Sequence, residues 1–290
     1  MTSPIPLVSI GLPVYNGERF IAGAIDSLLA QDYAQIELIV SDNASTDRTP
    51  EICREYAAKD PRVHYHCNST NLGVIKNFNQ VFELASGDYF MWAGDHDLRA
   101  PTFISRCMEI MVADPSVVLC CSQTVRVAPN GRYSAIIPPR LDTRGLATVT
   151  RFQLVIWSLS YCYQTYGLIR SDALKHTQLF RDTIGPDAIL LAELALLGAF
   201  AYVPELLFYM RQMPDAGDWV RYASKLNKRL TPLSAGFLYA QMIYNYLMVV
   251  HQQIHQPIRK LLLMLAVLQC IPIRYRLVLR DMFRAAQMQK

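Results

Sequence analysis

One apolar run that ends at two aspartates constrains this chain more than any other stretch of its sequence. The segment Tyr89–Trp92 is followed by Ala93 and Gly94, and then by Asp95 and Asp97. A short β-prone run that stops at a glycine is typical of a buried strand leading into a loop. Because ligands of open α/β sheets bind beyond the carboxyl ends of the strands, both carboxylates are predicted to lie at a ligand site.

Two carboxylates spaced i, i+2 on a short loop are suited to a hard cation. Mg²⁺ and Mn²⁺ prefer oxygen ligands and leave coordination positions open for the phosphates of a substrate. The alternative is a solvated turn after a strand, since Asp and Gly are common turn residues. A bare D-x-D pair is too common to distinguish a cation site from a solvated turn. Other parts of the sequence have to distinguish them.

The composition indicates a large folded unit. The chain has 290 residues, of which 52% are hydrophobic and 18% charged, so a sizeable core is expected and disorder is not. This length accommodates one large domain, or a domain of about 200 residues with an appendage.

Charge is distributed unevenly along the sequence. Residues 219–290 contain eleven Lys or Arg and one acid, Asp281, whereas the whole chain carries a net charge of only +4. Such asymmetry indicates a basic appendage that meets an anionic surface, either a membrane or nucleic acid. No aromatic-basic stacking platform accompanies it, so nucleic acid is not expected as a partner.

The cysteines and the amino terminus point to a cytoplasmic setting. The seven cysteines are odd in number and contain no C-x-x-C pair, which argues against a disulfide framework or a zinc site and favours a reducing compartment. Residues 1–6 have neither the basic nor the long apolar region of a secretory signal.

The first hundred residues alternate between apolar runs and segments with helical spacing. Strands are predicted at 7–13, 36–40, 63–66 and 89–92, and helices at 18–31, from about 49, and around 78–85. This β-α-β order with short connections predicts a mainly parallel sheet with helices on both faces. Neither G-x-G-x-x-G nor G-x-x-x-x-G-K-[ST] occurs after the first strand, which argues against a dinucleotide site of the Rossmann type and against a P-loop.

The pattern continues beyond residue 100. Helices are predicted at 101–113, 146–159 and 186–197, and strands at 117–127, 165–169, 200–203 and 206–210. Asn130-Gly131 predicts a hairpin, and Gly198 is predicted to end the third of these helices. Residues 138–145 are predicted to form an irregular, basic loop.

The carboxyl-terminal part has a different character. Residues 230–258 contain no Lys, Arg, Asp or Glu, and 261–273 form an uncharged apolar run of only thirteen residues. A membrane-spanning helix needs about 20 residues, so helices lying in the membrane interface or packed on the preceding domain are favoured over a span at 234–250. A contact with a second subunit is the remaining alternative, because apolar stripes at helical spacing are usually buried.

Three stretches together carry a family resemblance. They read VSIGLPVYNGERFIAGAIDSLLAQDY, ELIVSDNASTDRTPEICREYA and NLGVIKNFNQVFELASGDYFMWAGDHDLRAPTFI. In order, spacing and residue type they resemble the family 2 glycosyltransferases of the GT-A fold over residues 7–105, with a weaker match to about residue 211. The resemblance implies an inverting transferase with a GT-A domain at 1–215, made of a nucleotide-binding half (1–100) and an acceptor half (101–215). A basic, apolar helical extension follows at 216–290.

The resemblance also assigns nucleotide-binding positions. The matching residues are Pro13, Val14, Tyr15 and Glu18 along the nucleoside, Asp42 at the base, and Lys76 and Asp95 near the diphosphate. A carboxylate at Asp42 accepts from a base N–H group, although a cap of the following turn is the alternative role. Lys76 is otherwise a solvated helix residue, as most lysines are.

The resemblance also assigns the residues that would bind the metal and the residue that would act as the catalytic base. Asp95 and Asp97 match the positions that hold Mn²⁺ or Mg²⁺, which neutralises the leaving diphosphate. Asp187 falls on the position of the general base that deprotonates the acceptor hydroxyl, with an effect on the helix amino terminus as its alternative role.

The chain departs from the family pattern at two positions. Pro186 replaces the usual acid before the base, and Met213 stands where a histidine is common. Arg211, two residues before it, is expected to contact the diphosphate.

The expected function is sugar transfer from a UDP-, dTDP- or GDP-linked donor to a hydroxyl of a glycan or lipid-linked acceptor. The protein is expected to be cytoplasmic and peripheral on the inner face of the cell membrane. A nucleotidyltransferase is the second hypothesis, although such an enzyme needs a Gly-rich phosphate loop after the first strand. A non-catalytic nucleotide-sugar-binding paralogue is the third, because of Pro186 and Met213.

Overall fold

The computed structural model describes residues 5–128, 131–137, 141–159, 162–212 and 231–288. Its nine strands are β1 (Val8–Val14), β2 (Ile36–Asp42), β3 (Val63–Cys67), β4 (Tyr89–Trp92), β5 (Leu98–Arg99), β6 (Val117–Val127), β7 (Tyr133–Ile137), β8 (Leu168–Arg170) and β9 (Ala199–Arg211). Its helices are α1 (Ile21–Leu29), α2 (Thr49–Lys59), α3 (Val74–Glu83), α4 (Phe103–Ala113), α5 (Thr148–Ser158), α6 (Ser171–Lys175), α7 (Pro186–Leu197), α8 (Pro232–Gln253), α9 (Pro257–Arg274) and α10 (Arg276–Met288).

All nine strands belong to one sheet, in the order β3-β2-β1-β4-β8-β6-β9-β5, with β7 paired to β6. The first four in this order are parallel, and every residue of β1 and β4 is buried, as expected of central strands covered by helices on both faces. In the register of β1 and β2, Val14 pairs with Asp42. The carboxyl ends of these strands therefore meet at one edge of the sheet. The loop that follows β4 and carries Asp95 and Asp97, here called the aspartate loop, begins at the same edge.

The second half of the sheet is mixed. β8 runs antiparallel to both β4 and β6, whereas β6 and β9 form a long parallel pair with several register shifts. The end of β9 pairs with the two-residue strand β5, with Leu98 opposite Tyr209. This pairing brings Arg211 back to the loop that carries Asp95 and Asp97.

Most predicted elements are present, with some differences in this half. The strand expected at 165–169 begins later, because Tyr163–Tyr166 form a 3₁₀ turn before β8. The short elements β5 and α6 were not predicted, since two and five residues are too few to show a period. The predicted hairpin is β6–β7, with Gly131 at φ 84°, while Asn130 and residues 138–140 of the predicted loop lie outside the described residues.

The three carboxyl-terminal helices pack on the sheet domain and on one another. α8 buries Ala235, Leu238, Met242 and Tyr246 on its inner face, and α9 buries Leu263, Val267, Cys270 and Ile271. By length and composition α8 is apolar enough to cross a membrane, and so is α9 together with Arg276–Arg284 if the two are taken as one span with a 47° bend. The predicted domain boundary at 215/216 lies in 213–230, outside the described residues, and it stays a prediction.

All seven cysteines lie in the described ranges and are free thiols.

Candidate functional site

The loops that follow β1 and β2 are tied together by hydrogen bonds. Asn16 Oδ1 accepts from the Thr46 amide at 2.8 Å, and the Asn16 amide donates to Ser45 Oγ at 2.9 Å. Asn16 adopts a left-handed φ of 54°, which asparagine tolerates better than most residues. The loops therefore form one rigid edge beside Pro13 and Val14, the last two residues of β1.

Two predicted nucleoside-side residues lie on this edge. Tyr15 is 48% exposed and free to face a ligand. Glu18 is also exposed, but its Oε2 accepts from the Arg48 amide at 3.0 Å, and the Glu18 amide donates to Asp47 Oδ2 at 3.1 Å. In this structure Glu18 thus joins the loop after β1 to the start of α2.

Asp42 is fully buried at the end of β2. Its Oδ1 accepts from the Ser45 amide at 2.9 Å, which is the turn-capping role given above as the alternative. Its Oδ2 accepts from the Tyr65 hydroxyl at 2.7 Å. For Asp42 to accept from a base, a ligand has to share or displace this tyrosine.

A cluster of buried amides lies beneath these loops and was not predicted. Asn77 of α3 donates to the Ser41 carbonyl at 3.0 Å and accepts from the Ser41 hydroxyl at 2.7 Å, while Asn43 Oδ1 accepts from the Leu72 amide at 2.8 Å. These side chains fix the segment before α3. Lys76, on the first turn of α3, is exposed, as either of its predicted roles requires.

The aspartate loop holds a histidine between its two carboxylates. His96 Nδ1 lies 2.6 Å from Asp95 Oδ1, and its Nε2 lies 3.9 Å from Asp97 Oδ1. Burial alone lowers the pKa of His96, but the hydrogen bond to Asp95 and the charges of Asp97 and Asp95 raise it above its ordinary value. An imidazole placed in this way favours its protonated form and offsets the negative charge of the pair.

The two aspartates have different surroundings. The Asp95 side chain is 22% exposed, whereas the Asp97 side chain is only 5% exposed. Asp97 Oδ1 accepts from the Arg211 amide at 2.7 Å. Burial raises the pKa of Asp97, against the lowering influence of His96, Arg99 and that amide.

Arg211 closes the loop from the other side. Its Nε donates to the His96 carbonyl at 2.9 Å, and its guanidinium lies 4.3 Å from the centre of the Phe20 ring. Arg211 therefore joins the end of β9 to the aspartate loop. Met213, which stands where a histidine is common in the family, lies outside the described residues.

Asp95 fits a cation ligand better than Asp97 does. A Cβ atom at Gly17 would lie 2.8 Å from Asp95 Oδ2, so the absence of a side chain there keeps this oxygen open towards the first loop. Within the described ranges no group of three or more His, Cys, Asp or Glu side chains is placed to hold a metal ion. A cation at this loop would accordingly take most of its ligands from phosphate and water, as Mg²⁺ usually does.

Asp187 lies at the start of α7. Gly185, at φ 62°, precedes the helix, and Pro186 occupies its first turn, where a proline costs no hydrogen bond. Asp187 Oδ1 accepts from the Ala188 amide at 2.9 Å. The carboxylate is partly buried, so its contacts decide its charge.

The groups that face Asp187 come from distant parts of the chain. They are Cys162, Tyr166, Arg274 and Tyr275, each of which interacts electrostatically with the carboxylate. Burial raises the pKa of Asp187, and the Ala188 amide, Cys162 and Arg274 offset part of this rise. A carboxylate with a raised pKa is a stronger proton acceptor, as a general base requires.

The carboxyl-terminal helices supply two of these groups, which sequence reasoning missed. Arg274, at the end of α9, donates to the Ile156 carbonyl, and a Cβ atom at Gly185 would lie 4.0 Å from the Tyr275 hydroxyl. The buried Tyr246 hydroxyl of α8 lies close to that of Tyr275 but makes no hydrogen bond of good geometry. The helical extension therefore forms one wall of the site around Asp187.

Tyr166 connects the two acidic regions. It lies in the 3₁₀ turn, and its carbonyl accepts from Arg99 Nη2 at 3.0 Å. Burial raises the pKa of Tyr166, and the charges of Asp97 and Asp187 raise it further. The 3₁₀ turn also contacts both β4 and α7, so it lies between the strand that leads into the aspartate loop and the helix that carries Asp187.

Comparison with known sequences gives a consistent result. The model of the family described as glycosyl transferase family 2 matches residues 9–177, more than half of the chain. An uncharacterized glycosyltransferase of Bacillus subtilis, EpsJ, is 29% identical over 169 residues, which are 54% of this chain and 48% of that protein. An uncharacterized glycosyltransferase of Haemophilus influenzae is 36% identical over 114 residues, covering 39% of this chain and 46% of that one. The chain thus spans about half the length of these relatives.

Solved structures show the same fold. TarS 1–349 of S. aureus in complex with UDP-GlcNAc has a TM-score of 0.68 at 19% identity, covering 92% of this chain and 73% of that one. The mannosyltransferase PcManGT of Pyrobaculum calidifontis, in complex with GDP-Man and Mn²⁺, has a TM-score of 0.61 at 15% identity, with 98% and 73% covered. The predicted GT-A fold is confirmed.

Proposed function

Because the chain belongs to glycosyl transferase family 2, we propose that it transfers a sugar from a nucleotide-diphosphate donor to an acceptor hydroxyl, with inversion at the anomeric carbon. The observation that carries this proposal is the 3₁₀ turn Tyr163–Tyr166, which contacts both β4 and α7 and so lies between the aspartate loop and the helix that carries Asp187. A donor-side and an acceptor-side carboxylate at one site are what a single displacement needs.

The donor side comprises the loops after β1, β2 and β4. Pro13, Val14, Tyr15 and Glu18 line the nucleoside, Asp42 accepts from the base, and Lys76 and Arg211 face the diphosphate. Asp95 and Asp97 hold Mn²⁺ or Mg²⁺, which when bound neutralises charge on the departing diphosphate. The neighbours bound to UDP-GlcNAc, UDP and GDP-Man support a nucleotide-sugar donor without specifying the base.

On the acceptor side Asp187 receives the proton of the acceptor hydroxyl. The acceptor oxygen forms the new bond to the anomeric carbon, while the old bond to the diphosphate breaks and the nucleoside diphosphate leaves with the electron pair. The protonated Asp187 then returns its proton to water. A well-placed base of this kind accounts for about 10²- to 10⁴-fold in rate.

We further propose that the acceptor is a glycan or a lipid-linked glycan and that the enzyme works on the inner face of the cell membrane. The basic, apolar helices α9 and α10 support this placement. The alternative to membrane contact is a homodimer in which α9 and α10 form the subunit interface.

The test begins with donor binding. Purified protein with Mn²⁺ is screened by thermal shift against UDP-, dTDP- and GDP-sugars, since a ligand raises the melting temperature according to its affinity. The donor that stabilises most is then assayed for release of its nucleoside diphosphate, with and without candidate acceptors.

Asp187→Asn should slow transfer by about 10²- to 10⁴-fold and preserve donor binding. Asp172→Asn is the matched control, because Asp172 is an exposed aspartate near the start of α6. Binding without hydrolysis or transfer in the unmodified protein contradicts the enzymatic proposal and favours a nucleotide-sugar-binding paralogue. Formation of nucleotide sugars from sugar phosphate and nucleoside triphosphate would instead indicate a nucleotidyltransferase.

A further inference from the structure

Helix α9 is apolar on two opposite faces. Its inner face packs on the domain through Leu263, Val267 and Cys270, all fully buried. Its outer face carries Ile258, Leu261, Leu262, Leu265 and Leu268, each between 48% and 78% exposed. These five side chains recur at intervals of three and four residues, so they form one continuous apolar stripe, here called the leucine stripe.

Basic side chains flank the leucine stripe at both ends. Arg259 and Lys260 lie at the start of α9, and Arg276, Arg280 and Arg284 recur every four residues along α10 with each of them exposed. Within 231–288 the sequence has six Lys or Arg and a single acid, Asp281, which pairs with Arg280 at 3.0 Å. An apolar stripe set among cations is the pattern of a helix that lies in the interface of an anionic membrane.

From this arrangement we infer that the leucine stripe docks on an anionic lipid bilayer, with the arginines of α10 against the lipid headgroups. A second copy of the chain fits this face less well. A two-fold contact through the stripe sets the same surface against itself, and so places the flanking cations of one subunit near those of the other. Anionic lipid offers charge of the opposite sign instead.

The inner face of the same helix reaches the proposed base. Cys270 Sγ donates to the Ile156 carbonyl at 3.5 Å, Arg274 donates to the same carbonyl, and the Tyr275 hydroxyl lies beside Gly185, two residues before Asp187. A bilayer on the outer face of α9 would therefore lie on the Asp187 side of the site. This deepens the proposed function, on which it rests for the role of Asp187, by making the acceptor a hydroxyl on a membrane-anchored molecule.

Vesicle flotation of the full chain tests the docking surface. Vesicles of phosphatidylcholine are compared with vesicles that contain about one-third phosphatidylglycerol. We expect binding to the anionic vesicles only, with a strong loss at high salt because the headgroup attraction is screened. Equal binding to both vesicle types, or none to either, would overturn the inference.

Leu265→Glu places a charge in the middle of the stripe and should lower the vesicle-bound fraction at least about tenfold. Val112→Glu is the matched control, because Val112 is 62% exposed on α4 in the sheet domain. The triple variant Arg276→Gln, Arg280→Gln, Arg284→Gln should also reduce binding, and it should flatten the salt dependence. Circular dichroism and melting temperature check that each variant is folded.

Three results separate this inference from the proposed function. If Leu265→Glu converts a dimer to a monomer in light scattering and vesicles never bind, the stripe is a subunit contact and the inference fails. If vesicles bind as expected but no nucleotide sugar is hydrolysed or transferred, the docking surface stands and the proposed function fails. If sugar is transferred but vesicles do not bind, the proposed function stands and the docking surface fails.

Discussion

The donor side and the base side of this site are built in different ways. The donor side consists of loops that directly follow β1, β2 and β4, and its groups hydrogen-bond to neighbouring loops, as Asn16 does with Thr46. The base side brings together the start of α7, the segment around Cys162 and the end of α9, which lie far apart in the sequence. One side is thus a property of the sheet edge, whereas the other depends on how the carboxyl-terminal helices dock.

The difference also concerns charge. On the donor side the two aspartates lie against His96 and the Arg211 amide, so their charge is offset within a few ångströms. On the base side Asp187 has a thiol, an amide and Arg274 as its partners, and burial still raises its pKa. The base side is therefore the part of the site at which a single substitution changes the chemistry most.

Asp187→Asn is the substitution expected to have the largest effect. The amide cannot accept the acceptor proton, so kcat should fall by about 10²- to 10⁴-fold. Donor affinity and melting temperature should stay close to those of the unmodified protein, because the amide oxygen can still accept from the Ala188 amide. Steady-state kinetics beside thermal shift measure both, and transfer that survives in Asp187→Asn would remove Asp187 from the mechanism.

Asp97→Ala comes next and tests the donor side. It removes the acceptor of the Arg211 amide and one carboxylate of the cation pair, so Mn²⁺-dependent affinity for the nucleoside diphosphate should fall by about two orders of magnitude. Titration calorimetry with Mn²⁺ and with EDTA measures the two contributions separately.

Asp95→Ala should lose the Mn²⁺-dependent part of the affinity with less loss of stability, because Asp95 is more exposed. If Asp97→Ala binds the nucleotide as the unmodified protein does, whether Mn²⁺ or EDTA is present, neither the cation role nor the structural role of Asp97 holds.

Arg274→Gln tests whether the carboxyl-terminal helices belong to the site. The unmodified protein should lose kcat/KM as the pH falls through the raised pKa of Asp187, because the protonated carboxyl cannot accept a proton. Removing the positive charge of Arg274 raises that pKa further, so the acid limb of the pH profile should move to higher pH. At the acid end kcat/KM should fall about three- to tenfold, with little change at the alkaline end.

The controls for Arg274→Gln separate charge from packing. Arg274→Lys keeps a positive charge and should restore most of the acid limb, whereas Arg276→Gln, an exposed arginine two residues away, should leave the profile unchanged. Cys162, Tyr166 and Tyr275 also face Asp187 and stay in place in all three variants. An unchanged profile in Arg274→Gln would limit the helices to a structural role.

The same contrast explains what the sequence could predict. The strand ends, the aspartate loop and most of the helices follow from periodicity and turn residues, which are local signals. The amide cluster around Asn77 and the wall formed by Arg274 and Tyr275 depend on contacts between distant segments. No spacing in the sequence marks such contacts, so one part of each side of the site was missed.

Tyr65→Phe has the smallest expected effect on activity and concerns the partner of Asp42. Its hydroxyl donates to Asp42 Oδ2 at 2.7 Å, so its loss leaves this buried carboxylate oxygen with only the Cys67 thiol, a weak donor at 4.0 Å, and should destabilise the free protein by about 1–3 kcal/mol. If Asp42 accepts from the base, a bound nucleotide supplies the missing donor, and the rise in melting temperature on nucleotide binding should be larger in the variant. Tyr33→Phe is the control, because its hydroxyl donates to the Pro6 carbonyl at the opposite end of the sheet and its loss should leave the nucleotide effect unchanged. A nucleotide effect that is equal in both variants would mean that Asp42 caps the turn and does not contact the base.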